Sequence, residues 1–186
     1  MHHFRAIDYV IDCADNVLTE EIIKELHFIL KRDTKDSTLD CFAVGEYKKR
    51  PMELRALREF HEFACGEPRN VVGGCETAKP KDVPARMKAL LAGYNTKSEV
   101  SIQDIIAFHA AFEQIHPFQD GNGRVGRLVA LKECLRLNIV PFIIEDSKKA
   151  FYYRGLSEWE FEKGRLTDTC LDGQDTFKRR MGMFDL

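Results

Sequence analysis

The chain has 186 residues, 44% of them apolar, enough for one domain that buries roughly two thirds of the surface its unfolded chain exposes. Lys and Arg total 28 against 30 Asp and Glu, and a formal net charge of −2 argues against nucleic acid or an anionic membrane as partner, so any anion site must be local. Six cysteines (Cys13, Cys41, Cys65, Cys75, Cys134, Cys170) form no CxxC pair, no apolar run reaches about 18 residues, and the N-terminal MHHFRAIDYVID is charged where a signal peptide needs an apolar stretch; together these read as a cytoplasmic protein with reduced thiols.

From Thr19, the stretch TEEIIKELHFILKR puts Ile22, Ile23, Leu26, Ile29 and Leu30 on one helical face. Thr19 is placed to cap that helix, and Glu20 and Glu21 in its first turn suit the helix dipole. STLDCFAVGEYKKRP, with its apolar run ending at Gly45, and NVVGGCETAKP, with Val71 and Val72 before Gly73 and Gly74, read as short strands or extended arms. Between them MELRALREFHEFACGE returns to helical spacing through Leu54, Leu57, Phe60 and Phe63. DVPARMKALLAGYN is a further helix with Pro84 in its first turn, where a missing amide costs little. Ser101 and Asp104 form a capping box ahead of Ile105, Phe108, Ala111, Phe112 and Ile115, and Pro117 stops that helix. The most apolar helix follows through Val125, Leu128, Val129, Leu131, Leu135 and Leu137, ending at Asn138 before Pro141. SKKAFYYRGLSEWEFEKG and LTDTCLDGQDTFKRRMGMF supply two more helices, so the expected architecture is a compact helical domain with one small extended element.

The junction of the two helices on either side of Pro117 carries the chemistry, in the thirteen residues IHPFQDGNGRVGR, Ile115 to Arg127. The first amides of a helix have no intrahelical acceptors and its dipole favours negative charge, so Gly121, Asn122 and Gly123 make a phosphate cradle that glycine lets a ligand approach closely. Arg124 and Arg127, one turn apart, supply forked guanidinium groups for a polyphosphate. Asp120 is a hard oxygen ligand suited to Mg²⁺ shared with substrate phosphates, and His116 is suited to act as general base on a hydroxyl. A bland alternative is a capping histidine followed by an ordinary DGNG turn. A metal alternative uses His109, Glu113 and His116 at helical spacing, but the chain has no second ExxH run to complete a di-metal bundle site.

Taken together, these residues resemble the signature of the Fic family, His-x-Phe-x-(Asp/Glu)-Gly-Asn-Gly-Arg-x-x-Arg, with every specified position filled from His116 to Arg127. The resemblance extends to AIDYVIDCADNVLTEEIIKELH, VGEYKKRP, GGCETAKPKDVPARMKALLAGYN and FYYRGLSEWEFEKGRLTDTC, nearly the whole chain. It implies a mainly α fold: a Fic-type helical bundle with a small β-hairpin flap over the active site, one domain over residues 1–186 with the flap at about 41–80. It implies His116 as the base that deprotonates a target hydroxyl, Phe118 as a core anchor for the loop, and Asp120 as the Mg²⁺ ligand. Gly121, Asn122 and Gly123 match the anion hole, and Arg124 and Arg127 the phosphate-binding arginines, the second reaching toward the γ-phosphate. Tyr152 and Tyr153 match a tyrosine pair near the nucleotide base, with ordinary helix packing as the alternative.

The implied activity is transfer of AMP from Mg·ATP to a Ser, Thr or Tyr hydroxyl of a protein bound along the flap, the chain itself included. The alternatives are another Fic-type transfer (UMP or phosphocholine), removal of AMP, or a binding module without catalysis; a separate inhibitory chain and a homo-oligomer are both compatible with the sequence. MELRALREFHEFACGEPR stands as an insertion at 52–69 between the two flap arms, either a tolerated surface extension or a recognition element. No glutamate is followed by Gly or Asn, so the (Ser/Thr)-x-x-x-Glu-(Gly/Asn) motif that restrains many family members through the second arginine is absent from these residues, and the chain is expected not to restrain itself.

Overall fold

The computed structural model describes residues 2–34, 43–50 and 77–182. Seven α-helices are found there: α1 His2–Asp12, α2 Glu20–Lys31, α3 Val83–Asn95, α4 Ile102–Ile115, α5 Asn122–Arg136, α6 Lys149–Ser157 and α7 Lys163–Gly182. Single 3₁₀ turns lead into α3 (Pro80–Asp82) and α6 (Asp146–Lys148). The protein is mainly α, as expected, and no strand occurs among the described residues. The 52–69 insertion and most of the expected hairpin flap lie outside them. Of the first arm, residues 43–50 are seen, and they form a turn closed by the Glu46 N–H on the Ala43 carbonyl (2.8 Å) rather than a strand.

The capping signals operate as the sequence suggests. Thr19 accepts a hydrogen bond from the Ile22 N–H in front of α2, and Ser101 and Asp104 close a complete capping box on α4. Pro84 sits in the first turn of α3. Asn138 takes a left-handed φ of 54° just after α5, and the Ile139 N–H returns to the Cys134 carbonyl (2.8 Å), the usual way a helix ends on Asn. Helix α1 buries only Ala6 and Val10, one turn apart, too narrow a stripe to stand out in the sequence.

The main core joins α1 to α5 through residues such as Val10, Ile23, Leu26, Met87, Phe108, Phe112, Phe118, Val125 and Val129. A second cluster, Ile106, Ala110, Tyr152, Trp159, Leu166 and Cys170, fastens the α6–α7 pair to the other side of α4. Helix α4 is thus packed on both sides, while α5 packs into the main core, and the turn between them joins two fixed elements. Cys13, Cys134 and Cys170 are free buried thiols, and no described helix is long and apolar enough to cross a membrane.

Candidate active site

The turn from His116 to Gly121 is fixed by two buried side chains, Phe118 and Asn122, and by the backbone of Gly121. Phe118 is fully buried, stacked on the His27 ring with centroids 4.0 Å apart and 5° between planes, and flanked by Tyr47 and Phe112. Asn122, 2% exposed, accepts from the Phe118 N–H and donates to the Phe118 carbonyl, both at 2.8 Å. Gly121 has φ 85°, a conformation glycine adopts without strain, and it turns the chain into α5. The Asn122 side chain thus clamps the loop, a role the sequence did not suggest, while its backbone N–H and that of Gly123 are among the first-turn amides of α5 without intrahelical acceptors.

His116 caps α4 in the left-handed region (φ 52°), a placement that costs a non-glycine residue of order 1 kcal/mol and that its surroundings enforce. Those surroundings are the two roots of the flap segment. The Lys48 N–H donates to the Pro117 carbonyl (2.8 Å), and the Ala78 N–H donates to the Ile115 carbonyl (3.3 Å). The buried Lys48 ammonium adds hydrogen bonds to the Ile115 carbonyl and to Thr77 Oγ1. Nδ1 of His116 lies 3.3 Å from the Glu113 carbonyl, so Nδ1 carries the proton and Nε2 keeps its lone pair. Burial lowers its pKa to about 4, against the opposing pull of the Glu113 carbonyl, so the ring is neutral at physiological pH and ready to accept a proton.

Asp120 lies between two cations. Its Oδ2 accepts from Lys31 Nζ at 2.6 Å and from Arg124 at 3.2 Å. Burial works to raise its pKa, but the hydrogen bond and charge of Lys31, the Gly121 N–H and Arg124 outweigh it, and the carboxyl titrates below its usual range. A Mg²⁺ ion fits this residue as a single shared carboxylate, with phosphates and water completing the shell. The His109, Glu113, His116 alternative has no support, since no group of three or more His, Cys, Asp or Glu among the described residues could hold a metal. Helical spacing does bring His109 and Glu113 together, but His109 Nε2 is engaged with Tyr152 Oη (2.6 Å) and His116 turns away to the Glu113 backbone.

The two arginines stand at opposite ends of the glycine turn. Arg124 folds back on Asp120, with its Nη2 3.6 Å from where a Gly121 Cβ would be, whereas Arg127 Nη1 lies 3.3 Å from the corresponding point on Gly123. Of the tyrosine pair, Tyr152 is 1% exposed and bonded to His109, which is the packing alternative; Tyr153 packs edge-on against it at 5.3 Å and is 41% exposed. Lys31, Lys48 and His27, which the sequence did not single out, support the site, as does Glu113, named there only in the metal alternative. His27 receives the Gly45 N–H on Nδ1 (2.9 Å), and its Nε2–H donates to the Asp120 carbonyl (3.1 Å), tying residues 43–50 to the signature turn through one ring. The signal for it in the sequence is slight: a polar residue among the apolar positions of α2, some ninety residues from what it touches.

Comparison with known proteins bears on the family and the fold. The family model described as "Fic/DOC family" matches residues 17–134. A probable protein adenylyltransferase, aq_aa38 of Aquifex aeolicus (strain VF5), is 54% identical over 35 residues, 19% of this chain and 11% of that protein. The protein adenylyltransferase fic-1 of Caenorhabditis elegans is 24% identical over 154 residues, 75% of this chain and 30% of that protein. Among solved structures, a Fic domain containing signaling protein from Bacteroides thetaiotaomicron VPI-5482 superposes with a TM-score of 0.68 at 24% identity, covering 97% of this chain and 65% of that one. Fic-1 residues 134–508 from C. elegans give a TM-score of 0.68 at 17% identity over 96% of this chain and 50% of that one. The chain thus spans less than a third of both curated relatives. A family match over more than half of the chain, with the turn just described inside it, shows that the chain belongs to the Fic/DOC family.

Proposed function

We propose that the chain transfers AMP from Mg·ATP to a Ser, Thr or Tyr hydroxyl of a protein, itself included. The observation that carries this reading is the neutral His116 imidazole, its Nδ1 tied to the Glu113 carbonyl and its Nε2 unencumbered, on the same turn as Asp120 and the first amides of α5. The names of the adenylyltransferase relatives support the same chemistry. In this reading the substrate hydroxyl loses its proton to Nε2 as its oxygen attacks the α-phosphorus; the bond to the β-phosphate oxygen breaks and pyrophosphate leaves. The amides of Asn122 and Gly123 with Arg124 and Arg127 hold the phosphates and take up the charge that develops on them. Asp120 would hold Mg²⁺, whose contribution when bound is to neutralise the phosphate oxygens. The roots of the flap segment, bonded to the Ile115 and Pro117 carbonyls, would set the distance between a protein segment laid along the flap and His116.

The test is incubation with ATP labelled separately at the α and γ positions. The α label is expected on protein and the γ label in released pyrophosphate. His116→Ala should cut transfer by roughly a hundredfold or more while nucleotide affinity stays within a few-fold, because the base acts on the incoming hydroxyl and not on the phosphates. Label on protein from the γ position alone, or comparable turnover by the variant, would overturn the assignment.

A further inference from the structure

Behind the phosphate cradle lies a buried polar cluster that the proposed chemistry does not use. Glu113 on α4 turns its Oε1 into the contact with α5, where that oxygen is buried and has no hydrogen-bond partner. One turn earlier on the same helix, His109 is 1% exposed; its Nε2 meets Tyr152 Oη at 2.6 Å and its Nδ1 is also buried and unpartnered. Both groups converge on Gly126: a Cβ there would stand 2.7 Å from Glu113 Oε1 and 3.0 Å from the His109 ring. Gly126 is not among the residues the family signature specifies, yet a side chain at that position would displace both groups. The same Oε1 lies 3.8 Å from the position of a Gly123 Cβ, and Arg127 Nη1 lies 3.3 Å from that point, so carboxyl and guanidinium flank one small space above the cradle glycine.

We infer that Glu113 is the positioning residue for Arg127: from behind α5 it sets where the guanidinium stands over Gly123, and Gly126 is the opening that lets it reach there. Burying an acid without a hydrogen-bond partner is costly, and the charge that opposes this cost is the Arg127 guanidinium, which acts on Glu113 through its field and not through a direct ion pair. The coupling shows in the titration as well. Burial raises the Glu113 pKa to about 7 and Arg127 is the charge that opposes this, while the second influence lowering His109, after burial, is again Arg127. Tyr152, also buried, faces the same two groups and passes their arrangement to α6. The inference rests on the proposed nucleotide site only for its consequence, which is that a correctly placed Arg127 distinguishes a nucleoside triphosphate from a diphosphate by the γ-phosphate.

Two measurements on the full chain separate these layers. In a double-mutant cycle of Glu113→Gln and Arg127→Ala, read from urea-unfolding midpoints, the combined shift should differ clearly from the sum of the single shifts. Binding of the α,β-methylene analogues of ATP and ADP with Mg²⁺, read by calorimetry, should show the ATP-to-ADP affinity ratio falling on the order of tenfold in Glu113→Gln and in Arg127→Ala, with the diphosphate affinity little changed. Gly126→Ala, which moves the carboxyl without removing it, should lower the ratio in the same direction, and Glu113→Asp should restore part of it. A merely structural Glu113 would leave the ratio untouched. Additive stability shifts, or a Glu113→Gln ratio within twofold of the parent while Arg127→Ala collapses it, would overturn the inference. Non-additive shifts with a ratio that Arg127→Ala leaves unchanged would uphold the positioning and reject the γ-phosphate reading of Arg127.

Discussion

Asn122 illustrates how one side chain can hold the shape of the turn that carries the candidate site. Its amide pairs with both backbone groups of Phe118, so truncation would leave a buried N–H and a buried carbonyl without partners. Asn122→Ala should therefore lower stability by roughly 2–4 kcal/mol, two unsatisfied groups at about 1–3 kcal/mol each less some relaxation, measured by urea unfolding. The site should suffer with it, since Phe118 anchors the turn that presents His116. A variant as stable as the parent would mean that water replaces the clamp. His27 belongs to the same class: its Nδ1 must stay bare to accept the Gly45 N–H, and burial holds its pKa at about 4, which keeps it so.

Among the elements, the C-terminal ends of α2 and α4 and the N-terminal end of α5 converge on one place. The first brings His27 and Lys31, the second His116, the third its open amides and positive dipole end. Helix α6 reaches the same place from behind through Tyr152, and its position is set by the close approach of Gly155 to α7. A Cβ on Gly155 would stand 2.7 Å from the Leu166 backbone nitrogen and Cα, atoms that cannot rotate out of the way. Gly155→Ala should push the two helices apart at a cost of about 1–3 kcal/mol, against the few tenths to 1 kcal/mol that alanine normally gains in a helix. Thermal unfolding checks the sign: a variant more stable than the parent would show that α6 has room to move.

For the whole molecule, three histidines that must stay neutral make stability depend on pH. His27, His109 and His116 are each lowered to about 4, chiefly by burial, whereas in the unfolded chain they take up protons near 6.5. The unfolded state then binds more protons throughout that interval, and stability falls as pH falls through it. Glu113, raised to about 7 by burial, acts in the opposite sense, because the folded chain keeps a proton that the unfolded one releases above about 4.5. Three groups against one leave an excess of somewhat under two protons, so stability should drop by roughly 2 kcal/mol per pH unit between about pH 6 and pH 5. Urea midpoints across that range are the check, and a flat profile would contradict the neutral-histidine assignment.

What the sequence determined by itself was whatever is local. Caps at Thr19 and Ser101, the αL stop at Asn138 and the apolar stripes of α2, α4 and α5 follow from residues within a turn or two of one another, and the thirteen residues from Ile115 to Arg127 hold base, carboxylate, cradle and guanidiniums in one short stretch. Helix α1, with only Ala6 and Val10 buried, carries a stripe too narrow to stand out in the sequence in this way. Only the tertiary structure decided which polar side chains serve the loop from a distance. Lys31 and His27 lie about ninety residues before Asp120, Lys48 some seventy before Ile115, and Tyr152 forty-three after His109; no periodicity records such pairings. It also decided between roles that one residue type can fill. Asn122 became a clamp and Tyr152 a buried hydrogen-bond partner because a polar group enclosed by packing must find its partner inside the protein.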